Sequence, residues 1–269
     1  MTNNPDHHGT HREVELLETL RSLGGSARNA ALAEAMGVSE ETVRRTVKAL
    51  AKAELVQRVH GGVYLSNGDG FGPVKSRMSR NASQKARIGA ATAALIPDGA
   101  SVFLDVGSTT AYVAERLRDH RGLTVVTNAL TIAQTLAGRG GGRVFLAGGE
   151  LREVELGSFG AAALEFIARF SIDFAVLSVD GIDMRDGYLL SGSAEAEMSR
   201  AVASHARRVI VVADNSKFSQ SAPLVAFPAE RPDILVTDAP LRPSFADRLA
   251  RWETDVVIAG DTADVQSGK

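Results

Sequence analysis

Two stretches of this sequence have residue types and spacing suited to chemistry. The first follows the apolar run SVFLD, where Val106, Gly107, Ser108, Thr109 and Thr110 lead from Asp105 into the helical pattern of TAYVAERLRD. A glycine lets backbone approach an anion, and the free amides of a helix start, joined by three hydroxyls, would converge on it. Hydroxyl residues also cap helices, so taken alone the stretch reads equally as a phosphate cradle or as a capped helix. It has neither the glycine and lysine spacing of a nucleotide P-loop nor GxGxxG. Further apolar runs end in similar groups: Thr127 and Asn128; Gly148, Gly149, Glu150 and Arg152; Asp180, Gly181 and Asp183; Asp214, Ser216 and Lys217. One or two of these would be turn chemistry. All of them at strand ends suit a polyol, with carboxylates and amides for hydroxyls and a lysine for phosphate. A phosphorylated sugar is the expected ligand.

The second stretch is GVSEETVRRTVKAL, Gly37 to Leu50. Ser39 is a strong N-cap, and Glu40 and Glu41 fall in the first turn, where carboxylates favour the positive end of the helix dipole. At 100° per residue Val43, Val47, Leu50 and Glu54 share one side, the first three making its apolar stripe, while Arg45, Lys48 and Lys52 project opposite, flanked by Arg44. Alone, that basic face reads first as a solvated surface, as most charged helix faces are. Its neighbours favour a duplex. Val14, Leu17 and Leu20 recur at helical spacing before Gly24 and Gly25; Ser26 is expected to cap a short second helix carrying Leu32, Ala33 and Met36. LVQRVHGGVYL reads as a hairpin around Gly61 and Gly62. Three helices and a hairpin make a winged helix-turn-helix.

The elements beyond Ser83 alternate. SVFLDV, LTVVT, RVFLAG, DFAVLSV, VIVVAD, ILVTD and DVVIAG are separated by helical stretches, which implies an α/β domain with a mostly parallel sheet covered on both faces. In such sheets ligands lie at the carboxyl ends of the strands. The expected organisation is a tail at 1–11, a DNA-binding head at 12–71, a linker at 72–87, an effector-binding body at 88–260 and a tail at 261–269. In the linker, Lys75, Arg77 and Arg80 either add phosphate contacts to DNA or lie on a solvated helix. HHGTH near the start has no carboxylate or cysteine cluster beside it and is read as a polar tail.

At 269 residues, 44% hydrophobic and 23% charged, the chain can bury two cores, and it contains no cysteine, which excludes disulfides and thiolate metal sites. No apolar run approaches a membrane span and no signal segment is visible, so a cytoplasmic protein is expected. The net charge of −2 hides a gradient. Thr42 to His60 holds Arg44, Arg45, Lys48, Lys52 and Arg58 against Glu54 alone, whereas acidic residues outnumber basic ones beyond Ile88.

GVSEETVRR, with LVQRVHGG, resembles the DeoR-type transcriptional regulators. The resemblance implies that Ser39, Thr42, Arg44 and Arg45 face DNA, with Arg58 and His60 on the wing near the backbone. Ser39 and Thr42 suit phosphate contacts, and either arginine can fork onto guanine or clasp phosphate. Thr46 stands where the family usually has aspartate. DVGSTT, VTNAL, LAGGELR, VDGID, SGSAEAEMSRAV and ADNSKF resemble the sensor domain of the same regulators, a relative of ribose-5-phosphate isomerase. That implies Asp105 and Gly107 to Thr110 at the phosphate end of an effector, with Lys217 and Glu195 near the sugar. The resemblance also implies a repressor of carbohydrate-metabolism genes, acting on double-stranded operator DNA as a homo-oligomer, dimer or tetramer, with no cofactor and no membrane partner. The competing expectation is an isomerase-like enzyme, since DGID looks like paired catalytic aspartates. Such enzymes follow the pair with a lysine that stabilises an oxyanion, and Met184 to Ala194 contains none. A binding module without a DNA role would leave the basic helix and wing unexplained.

Overall fold

The computed structural model describes residues 11–23, 26–53, 55–59, 62–65, 77–152 and 155–260. The head begins with α1 (His11–Ser22), β1 (Ser26–Arg28), α2 (Asn29–Ala35) and α3 (Glu40–Lys52), then β2 (Val56–Val59) and β3 (Gly62–Leu65). Gly37 takes φ +63, a conformation open to glycine, which lets α2 and α3 meet in a tight turn. Leu16, Leu20, Leu32, Val43, Leu50 and Val63 are fully buried in one apolar cluster. β2 and β3 pair antiparallel as the expected hairpin, with Val56 opposite Leu65 and Val59 opposite Gly62. Gly24, Gly25, Glu54, His60 and Gly61 lie outside the described residues.

Ser26 does not cap the second helix. It opens β1, which adds to β3 through Ser26 opposite Tyr64 and Arg28 opposite Gly62. Arg28 takes the cap position in an extended conformation with no side-chain cap bond. Three residues paired to an existing strand satisfy their backbone groups and bury Ala27 in the head core, which outweighs one hydroxyl cap.

The body opens with α4 (Ala82–Ala93), β4 (Ser101–Leu104), α5 (Ser108–Leu117), β5 (Thr124–Thr127), α6 (Leu130–Leu136) and β6 (Arg143–Leu146). Next come β7 (Leu151–Arg152), β8 (Gly157–Ser158), α7 (Ala161–Ile167), β9 (Phe174–Ser178), β10 (Gly181–Asp183), β11 (Gly187–Leu190) and α8 (Ser193–His205). It ends with β12 (Arg208–Val212), a 3₁₀ turn (Asn215–Lys217), β13 (Leu224–Val225), β14 (Ile234–Thr237), α9 (Pro243–Arg251) and β15 (Asp255–Ile258). The seven apolar runs form one parallel sheet in the order β15-β14-β12-β9-β4-β5-β6. Its central strands are buried on both faces, which is why they read as unbroken apolar runs, and only the edges β6 and β15 are partly exposed. A second small sheet, β10-β11-β13, lies outside it.

From β4 the chain winds outward through β5 to β6, returns to β9, and winds the other way through β12, β14 and β15. The gap between the carboxyl ends of β4 and β9 is therefore the topological switch point, where helices diverge and leave a crevice. Part of the expected linker belongs to this body. Residues 77–87 run along it into α4, and α4 packs so tightly on α5 that a methyl on Gly89 would sit 2.6 Å from the Tyr112 carbonyl oxygen. Among the described residues no helix is long and apolar enough to cross a membrane.

Candidate functional site

On α3 the two faces separate as the spacing predicts. Val43, Val47 and Leu50 are buried, and Arg45 and Lys48 are exposed with no carboxylate partner among the described residues. Ser39 caps the helix by accepting from the Thr42 amide at 3.2 Å, and the two hydroxyls lie 2.9 Å apart. Arg44 turns back onto its own first turn, 3.2 Å from Glu40 and 3.7 Å from Glu41. The arginines thus differ. Arg45 lines a shallow concavity with Glu13, Thr42 and Thr46, and the Thr46 hydroxyl donates to the Thr42 carbonyl at 3.0 Å instead of orienting either arginine. Arg58 is exposed on β2; His60 lies outside the described residues.

The body has a cavity of about 50 Å³ at the switch point. Asp105, Ser108 and Thr109 reach it from the end of β4, Ser178 and Asp180 from β9, Glu195 from the first turn of α8, and Asp214, Ser216 and Lys217 from β12. Ser108 and Thr109 set the start of α5, whose first amides have no intrahelical partners, against the same space. A further wall comes from the segment that leads in from the head: Arg77, Arg80, Asn81 and Lys85. That segment is tied to the body. Tyr112 donates to the Met78 carbonyl at 3.1 Å, Lys85 Nζ donates to the Arg77 carbonyl at 2.7 Å, and Asn81 Nδ2 donates to Asp214 at 3.2 Å. Asp214 also accepts from the Ser216 amide and hydroxyl.

Burial perturbs three ionisable groups here. Lys85, only 4% exposed, is lowered to about 8 because desolvation penalises its charge more than Asp214 rewards it. Asp105, 2% exposed, is raised to about 7 by burial, with partial relief from the Val106 amide at 2.8 Å and the Ser199 hydroxyl at 3.4 Å. Glu195 is raised by burial and then by the charge of Asp180. Near neutral pH the cavity thus holds carboxyls able to donate as well as accept, beside four cationic side chains. Such a lining suits an anion carrying hydroxyls.

Several expected residues lie elsewhere. Gly107 and Thr110 shape the loop without lining the cavity: a methyl on Gly107 would overlap the Ser178 hydroxyl, and the Thr110 hydroxyl bonds the Gly107 carbonyl at 3.0 Å. Thr127 and Asn128 are fully buried and structural, Thr127 donating to Leu104 at 2.7 Å and Asn128 accepting from Val106 at 3.1 Å. They sit at the end of β5, on the far side of β4 from the switch point. Gly149, Glu150 and Arg152 follow β6, one strand further out; Glu150 and Arg152 are exposed, and the Arg152 guanidinium lies 4.9 Å from the Phe159 ring centre. Asp183 closes a turn by accepting from the amides of Arg185 and Asp186 at 2.8 and 2.9 Å.

Residues 12–67 match the DeoR-like helix-turn-helix domain, and residues 80–239 match the DeoR C terminal sensor domain. The chain belongs to the DeoR family. The chain is 37% identical over 209 residues to the Glycerol-3-phosphate regulon repressor of Escherichia coli, covering 78% of this chain and 83% of that one. Transcriptional repressor AccR of Agrobacterium fabrum is 34% identical over 86% of this chain and 90% of its own. A solved D-ribose-5-phosphate isomerase in complex with phospho-erythronic acid matches at 19% identity with a TM-score of 0.36, covering 50% of this chain and 53% of that one. This DeoR-family protein is a transcriptional repressor with a DNA-binding helix-turn-helix domain and a sensor domain, a regulator rather than an enzyme.

Arg77 and Arg80, assigned from sequence to DNA or to solvent, line the switch-point cavity, together with Asn81 and Lys85, which sequence reasoning missed. A signal was present. Arg77, Asn81 and Lys85 recur every four residues, and Lys85 interrupts a helix otherwise made of small and apolar residues on that side. Ser178 has no comparable mark.

Proposed function

We propose that this repressor acts in the cytoplasm as a homo-oligomer and releases its operator when a short phosphorylated polyol fills the switch-point cavity. At about 50 Å³ the space holds roughly four waters, a scale closer to a triose phosphate than to a ring-sugar phosphate or a nucleotide. The phosphate lies over Ser108, Thr109 and the first amides of α5, neutralised by Lys217 and by Arg77 and Arg80. Asp105, Asp180 and Glu195 take the hydroxyls. The relatives named for glycerol 3-phosphate make that compound the first ligand to test. Genes of carbohydrate metabolism are the expected targets.

Arg45 and Lys48, exposed and without carboxylate partners among the described residues, are the residues proposed to grip the operator, Arg45 at a base edge and Lys48 at phosphate, with Arg58 on the wing. Arg44 is the weaker candidate because Glu40 and Glu41 already hold it. Ser39 and Thr42 offer a helix N-terminus to a phosphate. Paired heads would read half-sites separated by turns of about 34 Å. The exposed Leu146 and Leu151 beside edge strand β6 suit an oligomer contact.

The observation that carries this reading is the lining itself: one wall of the cavity is the segment that follows the head in the chain, so a ligand there contacts both the sheet's strand ends and that segment. Such a ligand shifts DNA affinity by the difference in its affinity for the two arrangements. Thermal unfolding with glycerol 3-phosphate, fructose 6-phosphate and their unphosphorylated parents tests it, followed by titration of the active compound into an operator complex at fixed salt. Stabilisation by phosphorylated compounds alone, with operator release, is expected. No shift across the panel overturns the assigned cavity.

A further inference from the structure

The head touches the body at a second place, far along the chain from the segment 77–85. Arg28, at the start of α2, donates from Nε to the Pro223 carbonyl at 3.0 Å, and its Nη1 lies 3.8 Å from Asp186 Oδ2. Beside it, the backbone of Gly62 in β3 approaches so closely that a methyl there would overlap the Pro223 ring. Asp186 sits in the turn between β10 and β11, the turn that Asp183 closes, and Pro223 immediately precedes β13. The head's three-stranded sheet therefore rests on one end of the small β10-β11-β13 sheet.

The other end of that small sheet is the cavity wall. Asp180, just before β10, lines the cavity and accepts from the Ser191 amide at 2.9 Å. Leu190, the last residue of β11, lines it too. Ile182 bridges to Phe218, next to Lys217, and the Ser219 amide donates to the Ile182 carbonyl at 2.9 Å. Only the three residues of β10, about 10 Å of strand, separate the cavity from the head-bearing turn. A paired hairpin moves as a unit, so displacement at Asp180 reaches Asp186 without a flexible step between them.

We propose that the β10-β11 turn with Pro223 is the seat of the DNA-binding head, and that Arg28 is the positioning residue through which cavity occupancy sets the orientation of α3. The coupling half of this proposal rests on the ligand reading above; the seat does not. Ligand contacts at Asp180 and Lys217 shift the hairpin, which loosens the grip of Asp186 and Pro223 on Arg28 and frees the head from the arrangement that fits its operator.

Because the chain has no native cysteine, the double variant Gly62→Cys/Pro223→Cys in the full-length protein offers a single possible disulfide. Mild oxidation should give a monomeric cross-linked species on a non-reducing gel, without any ligand. A disulfide-linked dimer overturns the within-chain seat; where crowding at Gly62 keeps the two sulfurs from pairing, the Arg28→Ala arm below decides. Oxidised protein should still be stabilised by glycerol 3-phosphate, or by whichever panel sugar phosphate stabilises the unmodified chain, but should lose at least about fivefold of the ligand's effect on operator Kd, with recovery on reduction. Arg28→Ala provides a second arm that keeps α3 and the cavity lining intact. It should bind the same ligand within about twofold while its operator release weakens by at least about fivefold. Unchanged release in both variants, with ligand stabilisation intact, overturns the coupling and leaves the cavity assignment standing. Loss of ligand stabilisation in the unmodified chain overturns that assignment and, with it, the coupling.

Discussion

The head and the body carry their working residues in opposite ways. On α3, Arg45 and Lys48, the residues proposed to meet the operator, stand in solvent, where a charge costs almost nothing to keep and is free to replace the counterions condensed on a polyanion. In the body, Lys85, Asp105 and Glu195 are drawn into a crevice where each resists its own charge. A reading surface can be written on a helix by periodicity alone. A sensing cavity stores unfavourable burial that a complementary ligand relieves.

The contrast breaks most sharply through the head core. Leu50 is fully buried there, and Leu50→Ala should cost about 3–5 kcal/mol, enough to abolish operator binding in a shift assay. The two apolar clusters share no residue, so calorimetry should still show the body's transition and its ligand stabilisation.

Asp105→Asn should act with the opposite sign. Because burial raises the folded-state value to about 7, the folded protein holds a proton that the unfolded chain releases near 4, and stability falls as pH rises through that window. Asparagine keeps the oxygen that accepts from Val106 and removes this loss, worth up to about 4 kcal/mol at pH 8 and little at pH 4. Denaturant melts at both pH values check it; equal effects at the two would show that Asp105 is not held protonated.

Ligand affinity should decline between pH 6.5 and 9. Deprotonation of Asp105 near 7 and of Lys85 near 8 both make the cavity less hospitable to an anion, so the two effects add. Isothermal titration at three pH values reads this directly, and a rise in affinity would reverse the assigned charges.

Arg45→Ala should weaken operator binding by about 1–3 kcal/mol and relax discrimination at one base position, whereas Lys48→Ala should weaken all sequences alike and reduce the salt slope by about 1. Arg44→Ala should do less than Arg45→Ala, because Arg44 is already engaged by Glu40 and Glu41. Equal losses at both arginines would erase the distinction between them.

Much of this was legible in the residues. Ser39, Val43, Val47 and Leu50 mark the start and buried stripe of α3, and the seven apolar runs correspond one to one with the seven parallel strands. β1 was not legible, since three residues carry no period and pair only because β3 is already in place. Asp183 looked like a ligand and closes a turn. Thr127 and Asn128 are at a strand end as expected, but at a strand one place removed from the crevice.

Local pattern and charge by themselves determined the head, its reading helix and the α/β nature of the body, because helix periodicity, capping and strand burial act over a few residues. Strand order decided the rest. Only the reversal between β4 and β9 selects which strand ends enclose a cavity, and only close packing at Gly89 brings Lys85 and the segment before it across the opening. These are contacts between residues far apart in sequence, fixed by how the whole sheet assembles.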